Sequence, residues 1–136
     1  MQIFGFVFIF NFYLCKMIDL PEKVQVICSE LNAPPRLIAH LTLVHDVAVK
    51  LVGEIKHAFP ELSFDESGVY FGAATHDIGK SIHQSELIEA GNNHELAGEQ
   101  LLLNVGIDAE LARFARTHAN WQDDENLTFE DLIVTL

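Results

Sequence analysis

The stretch LIAHLTLVHDVAVKLVGEIKHAF, residues 37–59, decides the fold class. Leu37, Leu41, Val44, Ala48, Leu51 and Ile55 recur at three- and four-residue steps, the spacing of one apolar stripe on an amphipathic helix. Pro60 ends it, because proline cannot continue the hydrogen-bond ladder. Upstream, residues 21–31 make another helix, with Pro21 in its first turn and the breaker Ala33-Pro34-Pro35 behind it. Downstream, 61–68 reads as a polar loop in which Asp65 and Glu66 are solvated. Residues 69–78 form a short helix of small and apolar residues, closed by Gly79 in the position that favours a helix C-terminus. After an irregular stretch over 81–93, a helix spans 94–104 and Gly106 terminates it. Asp108 caps a helix running to about residue 121. Thr128 and Asp131 resemble a capping box that opens a last helix, extending to Leu136. No alternating pattern asks for a strand, and there is no internal repeat or linker. The expected fold is all-α, a helical bundle of about five to six helices.

The chain has 136 residues, 49% hydrophobic and 21% charged, so one globular domain with a real core is expected. Eight Lys+Arg against 20 Asp+Glu give a formal charge of -12. Such a surface lacks the footprint of a nucleic-acid binder, so no duplex binding and no stable membrane association are expected. An anionic substrate remains compatible with it, because a bound metal reverses the local sign. Cys15 and Cys28 make neither a metal-ligand pair nor a disulfide framework, which points to a reducing, cytoplasmic setting. Residues 1–16, MQIFGFVFIFNFYLCK, carry no acid and a single base. Their apolar run of about 14 residues would span roughly 21 Å as a helix, short of the ~30 Å hydrocarbon core. Three readings of this segment stand open: a packed element, a weak anchor, or an extension ahead of a natural start at Met17. The abrupt change of composition at Met17 favours the last, with the domain proper over 17–136.

Seven histidines are many for such a chain. At about 100° per residue, His118 falls on the arc of Leu111, Phe114 and Ala115 and so points to the core. His40 borders the apolar stripe of its helix, beside Leu37, Val44 and Val47. His76-Asp77 closes the small helix that contains FGAAT, and His94 opens a helix with Ala97, Gly98 and Leu101 on its inner face. Buried singly, such polar groups would each be costly, so convergence on one polar centre is expected. Imidazole and carboxylate together suit one or two divalent ions among Mn, Fe, Co, Zn, Ni and Mg. His45, His57 and His83 lack supporting context and read as ordinary histidines. Asp46 lies opposite the stripe and reads as solvated, and Lys80 reads as a charge that complements a helix C-terminus.

Thr75-His76-Asp77-Ile78-Gly79-Lys80 resembles the signature of the HD-domain metal-dependent phosphohydrolases. His40-Leu41-Thr42-Leu43-Val44, followed by Ala48, is similar to that family's first histidine motif, HELAGEQLL resembles its downstream histidine segment, and Thr117-His118 its further histidine. The resemblance covers roughly residues 34–136. It implies that His40, His76 and Asp77 hold one metal, with Asp77 bridging to a second held by His94 and His118. It also implies that Asp77 and Lys80 serve the reaction, with Lys80 at the mouth neutralising a phosphate. One departure concerns the aspartate that the family places one to two turns into a late apolar helix. Asp131 is available but lies at the helix start and reads as a cap, so a chain cut short at its C-terminus is expected.

The function expected from this resemblance is hydrolysis of a phosphomonoester or phosphodiester, on a nucleotide or related small phosphorylated metabolite. A non-catalytic sensor or interaction module of the same fold is the alternative, and a two-iron oxygenase a further one. An oligomer remains possible.

Overall fold

The computed structural model describes residues 16–119 and 127–135. Expectations for residues 1–15, for the helix end near residue 121 and for Leu136 lie outside the described residues. Seven α-helical segments follow one another: α1 (Glu22–Glu30), α2 (Pro35–Ala58), α3 (Glu66–Thr75), α4 (Asn93–Asn104), α5 (Ala109–Ala112), α6 (Phe114–Thr117) and α7 (Phe129–Thr135). Two 3₁₀ turns, Ile78–Ser81 and Gln84–Leu87, connect α3 to α4. Segments α5 and α6 are one helix interrupted at Arg113, where the Arg116 N–H turns to the Arg113 carbonyl three residues back. The fold is therefore an all-α bundle of six helices among the described residues, without a strand there.

The 24-residue α2 is the spine, about 36 Å long at 1.5 Å per residue. Pro34 and Pro35 preset its first turn, and Phe59 ends it just before Pro60. The expected stripe faces inward: Leu37, Leu41 and Ala48 are buried, and Val44, Leu51 and Ile55 are half-buried. Its two halves serve two apolar clusters. Leu37 and Leu41 pack with Val24, Ile27, Ile78, Leu102 and Ala115. Ala48 and Val52 pack with Val69, Ala73, Phe114, Ile133 and Val134. Helix α3 lies along α2, α7 packs on α3, and α4 packs on α6 and on the first 3₁₀ turn.

Four local readings change. Helix α3 starts at Glu66 rather than 69, because Asp65 is its N-cap and accepts from the Gly68 N–H at 3.0 Å. Glu66 pairs with Lys56 across the bend after α2 and is half-buried rather than solvated. Gly79 does not close a helix. It lies in the first 3₁₀ turn pressed on α4, where a Cβ would stand 1.9 Å from the His94 carbonyl oxygen. Asp46 is 4% exposed: its oxygens accept from the Ile18 N–H at 3.0 Å and the Lys50 ammonium at 2.7 Å, pinning the segment ahead of α1 across α2. The expected glycine stop of α4 does occur at Gly106, with φ of 81°.

The capping box at α7 forms as expected. Thr128 donates its N–H and hydroxyl to Asp131 Oδ2 at 2.9 and 2.8 Å, and the Asp131 N–H donates to Thr128 Oγ1 at 3.2 Å. No described helix is long and apolar enough to cross a membrane.

Candidate metal centre

The centre is built around the Asp77 carboxylate, which is 4% exposed and sits between the end of α3 and the first 3₁₀ turn. On one side its Oδ2 lies 3.1 Å from His40 Nε2 of α2 and 3.5 Å from His76 Nε2. On the other side its Oδ1 lies 3.0 Å from His94 Nε2 of α4 and 3.4 Å from His118 Nε2 just past α6. The two sets, His40–His76–Asp77 and Asp77–His94–His118, each bring their ligand atoms within 4.8 Å of one another. Every metal-ligating residue expected from the sequence thus meets at one place. His45, His57 and His83 belong to neither set. His45 is nevertheless buried, packed edge-on against Tyr70, with Nδ1 lacking a partner.

The hydrogen bonds behind the rings fix their tautomers. His76 Nδ1 donates to the Ala73 carbonyl at 2.9 Å, and His118 Nδ1 donates to the Ala115 carbonyl at 3.0 Å. Both acceptors lie three residues back in the preceding helix, so each ring is locked by the turn it terminates. His94 Nδ1 donates to Glu86 Oε2 at 2.5 Å. In all three rings Nδ1 is engaged behind the ring and Nε2 is turned toward Asp77. Burial pushes the His76 pKa down to about 4, against the pull of Asp77, so the ring is neutral at physiological pH. For Asp77 burial works in the opposite direction, but His118, His40, His76 and Lys80 outweigh it and hold the carboxyl well below the usual range.

A cation is what this donor set lacks. Asp77 Oδ1 and His94 Nε2 are both buried without a hydrogen-bond partner, so two lone pairs face each other at 3.0 Å. Ligands bonded at about 2.1 Å to a common ion stand about 3.0 Å apart at a right angle and about 3.4 Å apart at the tetrahedral angle. The observed spacings of 3.0–3.5 Å from Asp77 to the four imidazoles match those edges. The residues present therefore fit one or two divalent ions. The two halves differ in access. His40 keeps 43% of its side chain exposed, whereas His94 keeps 6%. The first set is thus the more open to solvent of the two.

Lys80 donates to Asp77 Oδ2 at 2.6 Å and is a neighbour of the centre rather than a distant helix charge. It lines a cleft of about 190 Å³ with Arg36, His40, Asp77 and Leu87. A second cleft of about 370 Å³ reaches the centre at His76 and His118 and is walled by Leu43, Val44, Val47 and Val134.

Glu86 is the functional residue that the sequence reading missed. Its Oε1 accepts from the Asn93 N–H at 3.1 Å and the Asn93 amide at 2.9 Å. Its Oε2 accepts from the His94 N–H at 3.1 Å besides the ring. Burial raises its pKa, but the His94 ring and these N–H donors prevail and lower it to about 2. A carboxylate behind a ligating histidine fixes the ring and raises its basicity. The only signal was an acid eight residues ahead of His94, in a stretch without periodicity. Asp131, the late acid weighed as a final ligand, spends its oxygens on Thr128 and on Arg113 and belongs to neither set. No protein-family model, no curated protein and no solved structure matches the chain.

Proposed function

We propose that the chain is a metal-dependent phosphohydrolase of the HD-domain type. It acts on a phosphomonoester or phosphodiester of a nucleotide or related small phosphorylated metabolite. The observation that carries the reading is a buried carboxylate that offers one oxygen to each of two imidazole pairs, with a lysine ammonium on the open side. When bound, a divalent ion polarises a phosphoryl oxygen and lowers the pKa of its water toward ~7. Asp77 holds the two halves together, and its neighbours favour its charged form. His76, His94 and His118 present lone pairs whose directions are set by Ala73, Glu86 and Ala115, so little reorganisation accompanies binding. Lys80 supplies a positive charge beside the open half, where an incoming phosphoryl oxygen competes with Asp77 for its protons. With a net charge of -12, attraction for an anion must come from such local groups.

A second reading, a non-catalytic module of the same fold, rests on Asp131 being consumed by the α7 cap and Arg113. Metal analysis of purified protein, followed by a phosphatase screen with Mn, Co, Mg and Ni, separates the two. Metal-dependent release of inorganic phosphate supports the hydrolase. Stoichiometric metal without turnover supports the module, and oxygen consumption with iron would instead reveal a two-iron oxygenase.

A further inference from the structure

Arg36 stands one helical turn before His40 on α2 and lines the same cleft as Lys80. In a chain with 20 acids and 8 bases, cations find carboxylates readily. Lys50 pairs with Asp46, Lys56 with Glu66, Arg113 with Asp131 and Arg116 with Glu99. Arg36, like Lys16 and Lys23, has no carboxylate partner among the described residues, but of the three it alone lines the cleft, where it is exposed. Lys80, in contrast, is drawn onto Asp77 with 19% of its side chain exposed. The cleft thus has an inner cation at the centre and an outer one at its rim, about 6 Å along the helix from His40. At about 190 Å³ it is below the usual size of a pocket for a whole organic ligand, so it suits phosphoryl groups alone. The other cleft, walled by Leu43, Val44, Val47 and Val134, offers hydrocarbon to the rest of a substrate.

We propose that Arg36 binds a second anionic group of the substrate, next to the group held at the centre. The preferred substrate is then a phosphoanhydride or a bisphosphorylated ester rather than a simple monoester. A guanidinium pairs bidentately with a phosphate through its planar fork, which an ammonium cannot do. This inference rests on the metal-dependent reading above. It makes Arg36 a specificity-determining residue that touches no metal.

The test is calorimetry on the full chain with free Mg²⁺ held constant, using inorganic phosphate and pyrophosphate as probes. Wild type should bind pyrophosphate about tenfold more tightly than phosphate or better. Arg36→Ala should remove that preference while leaving the affinities for phosphate and for Mg²⁺ within about twofold of wild type. Arg36→Lys should recover only part of it. Retention of the full preference in Arg36→Ala, or no preference in wild type, overturns the proposal and leaves the metal reading standing. Absence of metal binding in wild type removes the reading and this inference together.

Discussion

Glu86 accepts four hydrogen bonds and so joins two tasks: it holds the first residues of α4 and orients the ring of His94. Glu86→Gln keeps a carbonyl acceptor and most of the shape, but it removes the charge and turns an amide N–H₂ toward donors. Metal affinity should fall about 10–100-fold, with the helix content of the protein unchanged, as read by calorimetry with Mn and by circular dichroism. The histidines that converge on Asp77 were legible in the sequence. Each of His40, His76, His94 and His118 sits at a helix face or helix end whose direction follows from periodicity. Glu86 was not, because its position depends on a short 3₁₀ turn folding back over α4, and no local pattern encodes that packing. Asp46 was misread for a related reason. The angle around α2 places it away from the apolar stripe, but the segment around Ile18 crosses that face and covers it.

Each helix owes its place to its ends as much as to its apolar face. The stripe on α2 and the glycine stop of α4 were readable because each is a local property of the chain. The start of α3 was not, since a polar loop and an Asp65 N-cap look alike until the helix is seen to begin. Gly79 shows the same limit. Its value lies in contact between the first 3₁₀ turn and α4, the two elements that carry Asp77 and His94, and not in a turn of its own. Helix α7 is anchored by the Thr128–Asp131 box, by Arg113 and by Glu130, whose carboxylate accepts from the Asp65 N–H at 2.7 Å. Asp131→Ala removes the cap and leaves Arg113 only the exposed carboxylate of Glu110, at 3.7 Å. It should cost about 2–3 kcal/mol in urea unfolding, with Mn affinity unchanged within about twofold. A large loss of metal affinity in a folded variant would instead make Asp131 part of the centre.

Among the buried carboxylates that tie distant segments together, Asp46 lies outside the centre and Asp77 within it. Lys50 and the Ile18 N–H hold the Asp46 carboxyl below its ordinary value of 3.8, against the effect of burial. Because the native value is lower than the unfolded one, the stabilisation is complete above pH 3.8 and is lost as pH falls through the native value. The stability difference between wild type and Asp46→Asn, measured as urea midpoints with chelator present, should therefore be constant well above pH 3.8 and shrink progressively as pH falls from 3.8 through the native value. Asp77 carries the central claim, since four imidazoles from separate elements converge on it and two lone pairs there lack any partner. The apolar clusters that build the bundle do not include it, so Asp77→Ala should fold. The measurement is thermal unfolding of wild type and Asp77→Ala, each with Mn and with chelator. Metal at about 100 times its Kd should raise the wild-type midpoint by about 5–10 °C and leave Asp77→Ala where it is. Equal shifts in both proteins, or none in either, would contradict a metal centre organised by Asp77.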